Sequence, residues 1–327
     1  MKIISKTLKI LPLLLLAIGF QSCSSDDDNN MPQEMDIVET AISSPNLSSL
    51  VAALQAADGN LVGVLSGDGP FTVLAPTNAA FQTFLTDNGF ANLSDVPTDV
   101  LSNILLNHVI AGEVSSNALV DVEQGYANTS AKGPMDKNLS LYFDATNGVK
   151  FNGISAVTTA DITASNGTIH IVDAVIGLPT VVDFALANPA LSNLVAALQS
   201  ADSQTPSPNL IPTLSGNGPF TIFAPTNDAF TSLLNELDPT GNTTLGDVSP
   251  ATVQAILTYH VVSGNVTSDA IPTGVVPTLG GDVTINASNL TITDPNKRVS
   301  NIIPTLVDIQ AINGVVHAID KVILPLQ

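Results

Sequence analysis

A chain of 327 residues has the length of two ordinary domains. Aliphatic residues and alanine are plentiful, tryptophan is absent and the single cysteine precludes an internal disulfide, so stability must come from packing and hydrogen bonds. Of nine Lys and Arg, three (Lys2, Lys6, Lys9) lie in the first segment, leaving six against 29 Asp and Glu. Such an acidic chain repels phosphate backbones and lacks a polybasic patch for anionic lipid, which excludes nucleic acid as a partner.

The three lysines open the chain, the apolar run Ile10 to Phe20 follows, and Gln21-Ser22-Cys23 comes next. This is the tripartite pattern of a secretory signal, with an apolar stretch too short for a bilayer core of about 30 Å. It resembles a bacterial lipoprotein signal of the Bacteroidetes type, although Phe20-Gln21-Ser22 is bulkier than the common Leu-Ala-Gly before the cysteine. The resemblance implies cleavage after residue 22 and lipidation of Cys23; the rival reading is a free thiol behind an ordinary signal. Residues 23–33 read as a solvated tether, because Ser24-Ser25-Asp26-Asp27-Asp28-Asn29-Asn30 has nothing to bury. An acidic run directly after the cysteine is similar to a surface-export signal, or it is a plain spacer. The expected location is the cell envelope, as an outer-membrane lipoprotein displayed outward or toward the periplasm.

The remainder is written twice. Leu47-Ser48-Ser49-Leu50-Val51-Ala52-Ala53-Leu54-Gln55 returns at 191–199, Gly69-Pro70-Phe71-Thr72-Val73-Leu74-Ala75-Pro76-Thr77-Asn78 at 218–227, and Asn166-Gly167-Thr168-Ile169-His170-Ile171-Val172-Asp173 at 313–320. A period of about 145 residues means tandem domains rather than a solenoid. They are assigned to residues 34–179 and 180–327.

Within each copy the elements follow in order. Leu47, Leu50, Val51 and Leu54 form a helical stripe, matched by Leu191, Leu194, Val195 and Leu198. A Gly-Pro turn precedes a short strand from Phe71 to Ala75 that Pro76 stops, and Thr77 is the N-cap of a helix burying Phe81, Phe84 and Leu85. A further helix buries Leu101, Ile104 and Leu105, or Val253, Ile256 and Leu257. Strands come afterwards. Leu139, Leu141 and Phe143 alternate with Ser140, Tyr142 and Asp144, the pattern of a half-buried strand. Helices first and strands later give an α+β unit.

Phe71 to Asn78 and the closing Gly-Thr-Ile-His-Ile-Val-Asp segment, each present twice and in the same order, resemble the two signature blocks of fasciclin-like domains. The resemblance covers both copies and implies, for each, a β-sandwich wedge packed with several helices, in a family of adhesion modules.

Four histidines occur as two repeated pairs, His108 with His260 and His170 with His317. The first pair continues the stripe of the preceding helix and points to the core. The resemblance implies an adhesion role for a Tyr-His pair, which Tyr259-His260 fits; the first copy has Asn107-His108 and lacks the tyrosine. A structural role for these four positions is the reading favoured by the stripe, and position 107 is expected to tolerate change. No metal-ligand spacing, nucleophile elbow or phosphate-binding loop is present, so no cofactor, metal or catalytic residue is assigned.

The sequence therefore predicts a non-enzymatic, membrane-anchored adhesion or matrix-binding protein whose partner is an unidentified protein or glycan. The alternative is an envelope scaffold or assembly partner without external ligand, and a third reading, an accessory to a secreted hydrolase, has no motif behind it.

Overall fold

The computed structural model describes residues 34–326. Cys23, the acidic run at 26–28 and the rest of the signal and tether lie outside the described residues.

Each repeat begins with a short helix started by a capping box. Asp36 Oδ1 accepts from Glu39 N at 2.7 Å and Glu39 Oε2 from Asp36 N at 3.0 Å, opening the helix Ile37–Ser43. Thr180 and Asp183 do the same for Val181–Ala187. The Leu47 stripe is broken rather than continuous: Pro45–Leu47 forms one 3-10 turn before the helix Ser48–Ala56, and Pro189–Leu191 precedes Ser192–Asp202. Proline fits that first turn because its missing N–H is not needed there.

The strand Phe71–Pro76 lies between an antiparallel neighbour, Val109–Ala111, and a parallel one, Gly167–Val172. Pro76 is the last strand residue, in register with Val172, instead of lying beyond the strand. Thr77 caps the helix Asn78–Asp87 as expected, its Oγ1 accepting from Ala80 N at 3.2 Å.

In the first repeat the pairing continues through Gln124–Lys132, Asn138–Asp144, Lys150–Phe151 and Ser155–Ala164 back to Gly167–Val172, closing a barrel. In the second repeat the same path splits into two four-stranded sheets. One holds Gly274–Pro277, Asp282–Asn286, Thr291–Thr293 and Val299–Asn301; the other holds Ile309–Ala311, Gly314–Ile319, Phe220–Pro225 and Val261–Ser263. The counterpart of Ser155–Ala164 is interrupted by a 3-10 turn, Pro304–Leu306, so its two ends serve different sheets.

Strand alternation gives each repeat two cores. Val73 and Ala75 face the helices with Leu50, Phe81 and Leu105, whereas Leu74 faces the barrel interior with Leu141, Phe143 and Phe151. Ile222 and Ala224 against Phe223 repeat this division.

The strand Asn138–Asp144 departs from expectation. Ser140 and Tyr142 are as buried as Leu139, Leu141 and Phe143, because the second repeat covers their face. Ser140 Oγ accepts from Gln310 N at 2.9 Å, and Pro179 O accepts from Ile312 N at 2.8 Å. Tyr142 packs within the helix–sheet core of the second repeat. Its ring lies 5.2 Å from that of Tyr126, which meets Phe184 edge-on at 5.7 Å.

Candidate functional site

His108 sits just past the helix Thr98–Leu106 and is fully enclosed. Its Nδ1–H donates to Ile104 O at 2.7 Å, while Nε2 accepts from Ile176 N at 2.9 Å. His260 repeats this with Ile256 O at 2.9 Å and Ile323 N at 3.0 Å. A ring that accepts a backbone N–H at Nε2 must be neutral. Burial accordingly pushes both imidazoles down to about 4, against the weaker upward pull of the carbonyl bond. Each histidine therefore ties a helix end to the segment that leaves the last strand.

The adjacent position differs between repeats. Asn107 is completely buried, its Nδ2 donating to Gly177 O at 2.9 Å and its Oδ1 accepting from Thr129 Oγ1 at 3.1 Å. The expected tolerance at this position is corrected: Asn107 joins three segments and has taken over a bonding role of its own. Tyr259 is half-buried and packs against the Gly280-Gly281 turn, where a Cβ on Gly280 would lie 2.5 Å from the ring. The apolar voids beside His260 and His108 measure about 50 and 10 Å³, far below the several hundred Å³ of a ligand pocket.

His170 and His317 use the opposite tautomer. Nε2–H of His170 donates to Val114 O at 2.9 Å and Nδ1 accepts from Asp161 N at 3.1 Å; His317 does so with Val266 O at 2.9 Å and Asp308 N at 3.2 Å. Burial lowers the His317 pKa. Asp161 and Asp308 both occupy the left-handed region at φ 57°. Their carboxylates hold Ser116 and Ser268, accepting from the backbone N–H at 2.9 and 2.7 Å and from the hydroxyl. Those bonds hold the Asp161 carboxyl below its usual range. Serine, aspartate and histidine thus meet twice, but each hydroxyl points to the carboxylate and each Nε2–H to a carbonyl, so no base faces the serine as a triad requires. Among the described residues no group of three or more His, Cys, Asp and Glu gathers as a metal set.

The sequence profile of the Fasciclin domain matches residues 45–179 and 189–325. The chain belongs to the fasciclin family. Protein sll1483 of Synechocystis is 39% identical over 45% of this chain and 73% of its own length. Human periostin is 30% identical over 80% of this chain, and the pig transforming growth factor-beta-induced protein ig-h3 is 32% identical over the same share. The chain spans only 29% and 34% of those two proteins. Among solved structures, a domain pair from the insect cell adhesion molecule fasciclin I covers 86% of this chain and 97% of its own at 18% identity, with a TM-score of 0.49.

The motifs shared by the two fasciclin domains are staples of the scaffold. Asn166 Oδ1 accepts from Ile37 N at 3.0 Å while its Nδ2 donates to Leu65 O at 2.7 Å; Asn313 does this with Val181 N at 2.9 Å and Leu214 O at 2.8 Å. Gly167 and Gly314 follow because a Cβ there would strike the carbonyls of Phe71 and Phe220 in the parallel neighbour. Asn78 and Asn227 bind the turn before the second helix, each donating to a proline carbonyl, Pro45 or Pro189, at 2.9 Å. Sequence reasoning missed the roles of these asparagines and the Asp161 and Asp308 clamps; their recurrence in the same order in both copies, 147 or 149 residues apart, was the available signal.

Proposed function

We propose that this fasciclin protein is a membrane-anchored, extracytoplasmic adhesion or matrix-binding protein that presents both of its domains. The observation that carries the reading is that two fasciclin domains, modules whose resemblance implies adhesion, occupy residues 45–179 and 189–325. The anchor is the lipid on Cys23, reached through the acidic tether, and the partner is a protein or glycan at the cell surface.

Recognition then falls to loops and grooves carried by the scaffold, since the histidines and asparagines that the domains share are occupied internally. The Ser116–Asp161–His170 arrangement supports a binding role over a hydrolytic one, because its hydrogen bonds run in the wrong sense for acyl transfer.

The test is fractionation and adhesion with Cys23→Ser. The substituted protein is expected to leave the membrane fraction or remain unprocessed, and its cells to lose attachment to coated matrix. Wild-type membrane recovery with normal processing would overturn the anchor. Alanine at Asp26, Asp27 and Asp28 should reduce protease shaving of intact cells; unchanged shaving would remove any export role from the acidic run.

A further inference from the structure

The two domains share their staples and differ at one groove. In the second domain Arg298 bridges two segments: Nη2 donates to Glu236 Oε2 at 2.6 Å, at the end of the helix Asn227–Leu237, and Nη1 donates to Val322 O at 2.8 Å. The first domain keeps the carboxylate and omits the cation. Asp87 stands at the position of Glu236 in the helix Asn78–Asp87. Ser155 and Ser300 are equivalent, since their hydroxyls donate to Ala174 O and Lys321 O at 2.8 and 3.0 Å, and counting back from them Gly153 stands where Arg298 does. Asp87 is exposed, and its carboxylate has no hydrogen bond or ion pair among the described residues.

The surrounding walls have changed to match. The groove beside Asp87 has a volume of about 610 Å³ and is lined by Phe84, Phe90, Val100, Ile104, Ile154 and Leu178, while the hollow against Leu233, Thr252 and Ile256, the second-domain equivalents of Phe84, Val100 and Ile104, holds about 110 Å³. Val100 is 39% and Ile154 59% exposed, and Thr252 occupies the place of Val100 in the second domain. Through Ile154, Gly177 and Leu178 the groove continues into a hollow of about 310 Å³ that ends at Leu186 of the next domain, itself 60% exposed. An apolar trough with a single unpaired carboxylate at its rim selects both shape and charge.

We infer that this groove of the first domain binds a polypeptide segment of a partner protein in which apolar side chains flank an arginine or lysine. The partner's cation meets Asp87 as Arg298 meets Glu236, and its apolar neighbours cover Ile154 and Val100. Apolar anchors beside a charge-assisted pair are the usual basis of such recognition, and the acidity of the whole chain attracts a basic partner. This deepens the recognition role proposed above by naming its surface. Peptide binding to purified protein can fail while adhesion stands, and the reverse.

The experiment pans a random linear peptide library, displayed on phage, against the full chain and measures the enriched peptides by fluorescence anisotropy. Enriched sequences should combine Leu, Ile or Phe with Arg or Lys, and Asp87→Asn or Ile154→Asn should weaken their binding roughly tenfold or more. Asp282→Asn, on a strand of the second domain, should leave it unchanged. Both groove variants alter exposed side chains, and thermal melting confirms that they fold. Enriched peptides without a basic bias, affinities indifferent to Asp87→Asn and Ile154→Asn, or no enrichment over bare support would each overturn the inference. So would self-association of the full chain that Ile154→Asn abolishes while no peptide binds, which would assign the groove to a second copy.

Discussion

The backbone N–H of Gln310 donates to the hydroxyl of Ser140 at 2.9 Å, joining residues 170 positions apart and belonging to different domains. Around that bond Tyr142 enters the core of the second domain, and Asn188 Nδ2 donates to Tyr126 Oη at 3.1 Å. Burial pushes the Tyr126 phenol up to about 12 and the Tyr142 phenol higher still. Domains of one chain move freely unless their contact is extensive and apolar; here an aromatic cluster crosses the boundary.

Tyr142 tests that junction in both directions. Its hydroxyl is buried without a hydrogen-bond partner among the described residues, a state that costs about 1–3 kcal/mol. Tyr142→Phe should therefore raise stability in urea by about 1 kcal/mol, whereas Tyr142→Ala, which removes a fully buried ring, should lower it by about 3–5 kcal/mol. An Ala variant as stable as the parent would mean that the domains do not lean on each other.

The Asn107 and His260 positions should both prove costly. His260→Ala and Asn107→Ala each leave backbone or hydroxyl groups unsatisfied in the interior, an expected loss of about 1–3 kcal/mol. Chemical denaturation of the two variants measures it. Where adhesion can be assayed, it should fall only as far as the folded fraction falls.

Stability should depend on pH in a defined window. His108 and His260 are neutral in the fold at pKa about 4 but titrate near 6.5 when unfolded, so between these values the unfolded chain binds more protons. Stability is thus complete above pH 6.5, declines as pH falls toward 4, and loses no more from these groups below that. The loss is on the order of 3 kcal/mol per histidine. Urea midpoints across this range check both sign and window.

Much of the fold was legible because the sequence is written twice. The strand Phe71–Pro76, the Thr77 cap and the stripe of Leu101, Ile104, Leu105 and His108 follow from local pattern, and local pattern governs them. The junction was not legible. Ser140 and Tyr142 read as a solvent face because their atoms are polar, and only the second domain, far along the chain, covers them. Asn107 looked dispensable because its partners Gly177 and Thr129 are distant in sequence. The Asp87 groove is visible only by difference, once Ser155 and Ser300 are seen to be equivalent in space.

Under the proposed function, the residues that the fasciclin domains share are internal clamps, and recognition is left to surfaces where the domains differ. Side-chain ¹⁵N NMR of the four histidines during an acid titration addresses it most directly. His108 and His260 are expected to hold the neutral Nδ1–H tautomer through pH 6.5 and to take up a proton only near pH 4. Protonation of either ring near pH 6.5 with the protein still folded would contradict it, because a ring open to water in the native state could face a partner.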